Sequence, residues 1–279
     1  MVPEAGPASV QNASVTEVRR LLDRTRPDSL TLLDVRMEHE YAAFHLPGSR
    51  LLPLPDLPDH LEAIDRKKPV VVYCRSGKRS AAAAALLAGA GFPRVINMLG
   101  GVMAWQGAVA SGAPDAGMAL LSGRESPREI LLAALGMEAA LEAFYTSLAA
   151  ATVETSSVFK RLAGYEKRHL HHIHTLYRQE TGDSSPLATL LAGAAPELEG
   201  GRPGEDFLRQ LGVPPASPEE ALELAASIEA QAFDLYTRLA RQSEPPEKVA
   251  LLITLAQEEK QHLRTVASLM APPASTSDR

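Results

Sequence analysis

The sequence predicts two domains of different class: an α/β domain with a parallel sheet and flanking helices, then an all-α four-helix bundle. Three observations lead there. Short apolar runs of strand length alternate with helical stretches through the first 110 residues, no strand candidate appears after residue 125, and the second half repeats itself. Alternating strands and helices favour a parallel sheet, and two copies of a helical hairpin make a four-helix bundle. A chain of 279 residues also suits two domains at the usual ~100–200 residues each.

Leu30–Val35 and Val70–Tyr73 are Leu/Val-rich runs of strand length, and Val95–Met98 is a weaker third. Helical stretches are expected at Ser14–Asp23, Leu57–Asp65 and Arg79–Ala90. Residues 1–112 are assigned to the α/β domain and 113–124 to a linker, because Ser111–Gly117 is rich in Gly and Pro. The bundle is assigned to 125–271 and a disordered tail to 272–279. Ser126-Pro-Arg-Glu129 opens the bundle with a capping Ser, a Pro at the first helical position and a Glu three residues on; Ser217-Pro-Glu-Glu220 repeats it. Thr181–Pro215, with Gly, Pro and one short apolar run at Leu187–Leu191, is expected to cross over between the hairpins.

Hydrophobic residues make up 45% and charged residues 22%, which excludes a largely disordered or fibrous chain. The run Ala81–Phe92 is short of the ~18 residues a membrane span needs, so no membrane is expected as a partner. Residues 1–30 contain no apolar secretory core, and the single cysteine excludes an internal disulfide framework. A reducing, cytoplasmic location is therefore expected. Residues 1–112 carry a net charge of +2 and the remainder −8. Nucleic-acid binding needs a basic footprint and is not expected.

Cys74-Arg75-Ser76-Gly77-Lys78-Arg79-Ser80 follows one expected strand directly and precedes an Ala-rich helix. That places the thiol at a helix N-terminus, where backbone N–H groups and the macrodipole favour an anion. Gly77 permits a turn that aims successive N–H groups inward, and Arg75, Lys78 and Arg79 add positive charge. The bland alternative is a buried structural cysteine beside a basic surface cluster.

These residues resemble the rhodanese sulfurtransferases over about residues 8–110. The resemblance lies in Leu32-Leu-Asp34-Val-Arg36, Glu40-Tyr-Ala-Ala-Phe-His45-Leu-Pro-Gly48, the Cys74 loop, Gly91-Phe-Pro-Arg-Val95 and Gly100-Gly-Val-Met-Ala-Trp105. It implies a rhodanese-like fold and Cys74 as the catalytic residue. Cys74 would accept sulfane sulfur from a donor such as thiosulfate, hold it as a persulfide and release it to cyanide or a thiol. Arg75, Ser76, Gly77, Lys78, Arg79 and Ser80 would form the substrate-binding loop, with Arg75 and Arg79 gripping the anionic donor. Asp34 and Arg36 suit a structural ion pair, and His39, His45 and His60 suit surface or packing roles. Phe44 departs from the Gly usual in that family. Cysteine phosphatases share the fold but place Arg six positions after the Cys, where this chain has Ser80.

Gly136–Ala149, with Glu138 and Tyr145, aligns with Ser227–Ala240, with Glu229 and Tyr236, at an offset of 91 residues. Glu166 and His169 align with Glu259 and His262 at an offset of 93. Helical positions i and i+3 share a face. One Glu from each of two helices plus a Glu-x-x-His from each of the other two is the di-iron or di-manganese pattern of ferritin-like proteins. Glu138, Glu166, His169, Glu229, Glu259 and His262 are therefore the candidate metal ligands. His172 is placed on a solvated face.

Residues 124–271 resemble the rubrerythrin branch of the ferritin-like superfamily. That implies two iron ions per chain, or manganese or a mixed pair, an oxidase or peroxidase role, and a homodimer. Ala232 stands where rubrerythrins often carry another Glu, and no paired cysteines exist for a rubredoxin-like centre. A separate electron donor is implied. The expected whole is a sulfurtransferase fused to a di-iron carboxylate domain. Two alternatives stay open: a persulfide carrier or sensor with a dimerising or iron-binding bundle, and a metal-free structural bundle.

Overall fold

The computed structural model describes residues 9–118, 121–192, 197–198, 202–203, 209 and 214–270. The expected disordered tail at 272–279 lies outside these, as does much of the Thr181–Pro215 crossover. The chain divides into two compact units, Met1–Ala116 and Gly117–Arg279.

The first unit is a parallel α/β domain. Its strands are β1 (Ser9–Ala13), β2 (Thr31–Asp34), β3 (Arg50–Leu51), β4 (Val70–Tyr73) and β5 (Arg94–Met98), and its helices α1 (Val15–Arg24), α2 (Glu38–Ala43) and α3 (Lys78–Gly89). The sheet runs β1-β5-β4-β2-β3, with every pairing parallel and β4 at the centre. Every residue of β4 is buried. Because side chains alternate across a strand, Val70 and Val72 pack with Ala83, Ala84 and Leu87 of α3, while Val71 and Tyr73 pack with Val18 of α1.

Several local features differ from the sequence expectations. Leu57–Ala63 is 3₁₀ rather than α-helical. β1 carries the polar segment Ser-Val-Gln-Asn-Ala at the sheet edge, and β3 is two residues long. The Ser14 hydroxyl caps α1, and Glu17 reaches back to the Ser14 N–H at 2.8 Å.

The second unit is largely helical. α4 (Pro127–Ala151) and α5 (Val153–Thr181) are joined by Thr152 alone. After α6 (Leu187–Leu191) come α7 (Pro218–Gln242) and α8 (Pro246–Met270). Ile130 and Leu135 of α4, Ile173 of α5, Leu235 of α7 and Leu252 of α8 share one buried cluster. The expectation of no strand after residue 125 needs correction: β6 (Glu197–Leu198) and β7 (Arg202–Pro203) form a two-residue antiparallel pair. Both are too short to leave a periodic signal.

Ser126 forms the expected capping box with Glu129. At Ser217 only half of the box forms. Its hydroxyl accepts from the Glu220 N–H at 3.2 Å, but the Glu220 carboxylate turns instead to the Ala216 N–H at 2.7 Å. By length and composition α4 is apolar enough to cross a membrane, a possibility the Ala81–Phe92 comparison did not reach. Half of that window is buried within the protein, and Glu138 lies fully buried on it. α4 is thus built as a core helix.

The segment after the 3₁₀ turn Gly101–Ala104 completes the α/β unit. His45 and Ala110 exchange backbone hydrogen bonds at 2.8 and 3.0 Å, and the Gly112 N–H donates to Ala42 at 2.8 Å. A fragment ending at Ala116 should therefore unfold cooperatively by itself. One ending at Ala104 should lose cooperativity or shift to markedly lower temperature. Thermal melts of the two fragments by circular dichroism check this.

Candidate functional sites

Cys74 emerges directly from the carboxyl end of the central strand, the edge where ligands of open α/β sheets bind. The turn at Gly77 (φ +92) caps α3. Its N–H donates to Cys74 Sγ at 3.1 Å. Burial raises the thiol pKa, but the Ser80 side chain and the backbone N–H groups of Ser80, Ser76 and Gly77 outweigh it, so the net shift is downward. The Ser80 hydroxyl is buried and 2.7 Å from Asn97 Oδ1.

Gly101 holds this loop from behind. At φ +58, a Cβ there would overlap the carbonyl oxygens of Cys74 and Arg75. The following Val102 and Met103 N–H groups donate to those same carbonyls at 2.9 and 3.1 Å. Gly101 is thus a close-approach position that fixes where the thiol sits.

The loop's cations divide into two kinds. Arg75 and Lys78 are exposed. Arg79 is instead paired with Glu40 through two hydrogen bonds, at 2.6 and 2.7 Å. Glu40 falls to about 2, chiefly through its hydrogen bond to Arg79. The guanidinium expected to grip a donor is therefore engaged by a carboxylate on α2. Asp34 and Arg36 form the expected structural pair: both are buried, with Nη2 to Oδ2 at 2.6 Å. Arg36 also donates to the Phe44 carbonyl at 2.7 Å and lies over the Phe44 ring. His45 is buried and stacked on Tyr41, and His60 bonds its own 3₁₀ turn at Asp56.

Fold and loop define a class: a parallel α/β domain holding one thiol in a ring of backbone amides at the N-terminus of a helix. The rhodanese-like domain model matches residues 14–108. A sulfurtransferase of Allochromatium vinosum is 38% identical over 78 residues, 28% of this chain and 73% of that protein. A thiosulfate sulfurtransferase of Stutzerimonas stutzeri is 39% identical over 75 residues, 27% of this chain and 69% of that protein. The crystal structure of a rhodanese-like domain protein from Staphylococcus aureus is 27% identical, covering 34% of this chain and 90% of that one with a TM-score of 0.32. Through this N-terminal part, the chain belongs to the rhodanese-like domain family. The family match stops at residue 108, short of the helical unit.

In the helical unit, all six residues singled out by the repeat come together. Glu138, His169 and Glu259 form one group whose ligand atoms lie within 4.8 Å of one another; Glu166, His169 and His262 form a second, and Glu229, Glu259 and His262 a third. The four Glu and His169 are buried, and the His262 side chain is 19% exposed. His169 Nδ1 contacts Glu138 Oε1, and His262 Nδ1 lies 3.1 Å from Glu229 Oε2. Burial disfavours the His262 cation, but Glu229 and Glu259 outweigh it and hold its pKa well above the ordinary imidazole range.

A cavity of about 290 Å³ reaches this cluster, lined by Glu166, His169, Glu229 and His262 together with Tyr165 and Thr265. Ala232, where another carboxylate was considered, is buried in the apolar cluster. Tyr145 and Tyr236 are also buried in apolar clusters. The sequence reasoning missed Glu258, which takes His169 Nε2 at 2.9 Å and His172 Nε2 at 2.8 Å. His172 therefore has a partner despite its 62% exposed side chain.

The amide ring makes a checkable statement about the thiol. Its alkylation by iodoacetamide should titrate with a midpoint below 9.0, the ordinary value. Ser80→Ala should move that midpoint upward, because the lowering influence of its hydroxyl is removed and the burial cost stays. Rate against pH for both proteins is the measurement, and coincident midpoints would contradict the role of Ser80.

Proposed function

We propose that the α/β unit transfers sulfane sulfur through a Cys74 persulfide. The observation behind this reading is the Gly77 N–H donating to Cys74 Sγ at 3.1 Å, with the Ser76 and Ser80 N–H groups also lowering the thiol pKa. The sulfurtransferase names of the relatives support it as well. With thiosulfate as donor, the Cys74 thiolate attacks the outer sulfur. A new sulfur–sulfur bond forms at Cys74, the donor's own breaks, and sulfite leaves with the electron pair. The backbone amides then stabilise the persulfide anion. Cyanide, or an acceptor thiolate, attacks the outer sulfur and returns the Cys74 thiolate; with cyanide the product is thiocyanate.

Arg75 and Lys78 are the free-standing cations that would draw in an anionic donor, with Arg79 acting through its pair with Glu40. Cys74→Ser should abolish both persulfide loading by mass spectrometry and thiosulfate–cyanide turnover. Arg75→Ala should raise KM for thiosulfate several-fold with a smaller effect on kcat. Turnover by the Ser variant would refute the reading. Loading without turnover in the unsubstituted protein would favour the persulfide carrier.

The helical unit is read as a four-helix, ferritin-like metal domain holding two divalent ions, iron or manganese. Glu138, Glu166, His169, Glu229, Glu259 and His262 would be the ligands, and the donor set fits. Even with both imidazoles protonated, these six side chains carry a net negative charge, and all but His262 are buried. Buried like charges are costly unless compensated, and hard oxygen donors with imidazole suit iron or manganese. Bound iron would supply one-electron chemistry toward oxygen or peroxide, with electrons from a separate donor. The chain's own residues bind the ions and leave the cavity beside His262 for a small molecule. Anaerobic loading of the full chain with ferrous iron should give about two irons per chain. Glu166→Ala combined with Glu259→Ala should remove both, by metal analysis. A chain that stays metal-free, with an unchanged melting temperature, would refute this part alone.

A further inference from the structure

The repeat that places the six ligands is symmetric; the side chains behind the two histidines are not. His169 and His262 each turn Nδ1 toward the carboxylates, to Glu138 and to Glu229. They differ at Nε2. His169 Nε2 lies 2.9 Å from Glu258 Oε2, and the other Glu258 oxygen lies 2.8 Å from His172 Nε2. The 93-residue offset maps Glu258 onto Tyr165 and His172 onto Thr265. Neither can serve His262 as a carboxylate would. The Tyr165 hydroxyl instead accepts from Arg161 Nε at 3.1 Å, and both Tyr165 and Thr265 line the cavity.

We infer that Glu258 is a positioning residue that makes the two metal positions unequal, the one bound through His169 being the tighter. The inference rests on the metal reading above. A carboxylate accepting from Nε2–H fixes an imidazole as the tautomer with its lone pair on Nδ1, and it increases the basicity of that nitrogen toward a metal. Glu258 is itself held in place, since His172 engages its second oxygen from one turn further along α5. His169 is accordingly clamped between a carboxylate on α4 and one on α8. Both rings line the cavity, but the His262 side chain is 19% exposed against 6% for His169. The position at His262 is left weaker and more accessible to a small molecule.

The test is a cobalt(II) titration of the full, metal-free chain, followed by visible absorption, with Glu258→Ala and Glu258→Gln alongside. The unsubstituted protein should fill in two resolved steps. Loss of a carboxylate behind a ligand histidine typically costs 10–100-fold in metal affinity. Glu258→Ala should therefore weaken the first step by about that factor and leave the second within about twofold. Glu258→Gln retains an acceptor but not the charge, so it should fall between. It also keeps the side chain's shape should the Ala variant fold poorly. In the cobalt-loaded protein, a hyperfine-shifted imidazole N–H proton should exchange slowly with solvent and be lost in Glu258→Ala. A merely structural Glu258 would lower the melting temperature without changing the separation of the two steps. Two steps that are equal, or unequal but insensitive to Glu258, overturn this inference and leave the metal site standing. No cobalt uptake by the unsubstituted chain overturns both.

Discussion

A negative charge held away from bulk water is the constraint on which both candidate sites depend. In the α/β unit it is the sulfur anion that Cys74 would carry in the proposed transfer, and the compensation is largely backbone. Strand β4 delivers Cys74 to the end of the sheet, the Gly77 turn points amides back at it, and α3 contributes its N-terminus. Amides add no countercharge, so they hold an anion without neutralising it. A transferable sulfur requires that balance, since it must be stabilised yet still leave. In the helical unit the charge belongs to four carboxylates, and fixed dipoles are too weak to compensate them. On the proposed metal reading, two divalent ions would compensate that charge.

This contrast explains which parts of each site were legible in the sequence. β4 could be read because burial on both faces demands an uninterrupted apolar run, and Val70–Tyr73 supplies one. β1 could not, because Val10, Gln11 and Asn12 are exposed at the sheet edge and the strand survives by pairing with β5. The six clustered residues were legible because helical periodicity turns a spacing into a shared face, and duplication made that spacing recur. Glu258 was not, because it is adjacent in sequence to Glu259 and only the packing of α8 against α5 turns it toward His169. The pairing of Arg79 was hidden for a similar reason. Its charge is plain in the loop, whereas its partner Glu40 lies 39 positions earlier on α2.

The Glu40–Arg79 pair also shows how the two neighbourhoods of the thiol are coupled. Glu40 has its carboxyl drawn down from 4.5 to about 2. Its contribution to stability is thus present above the unfolded value and lost as pH falls toward 2. With both side chains partly exposed, that contribution is no more than about 1 kcal/mol. Its greater effect is positional. By engaging Arg79, Glu40 leaves Arg75 and Lys78 as the exposed positive charges of the loop. On the proposed activity, a donor anion would meet these exposed cations before the amides around the thiol.

The repeat gives the helical unit two matched sets of side chains, and on the proposed metal reading such equivalence is a poor arrangement for chemistry that needs one ion held and another reached. The structure departs from twofold symmetry outside the six clustered residues. Glu138 and Glu229, Glu166 and Glu259, and His169 and His262 remain matched in type and in clustering. The differences sit one layer out, where Glu258 faces His169 while the equivalent Tyr165 borders the cavity beside His262. A substitution in that outer layer changes basicity, orientation and access while the first layer keeps its charge. The inferred inequality of the two positions thus needs no change in the repeat that places the six residues.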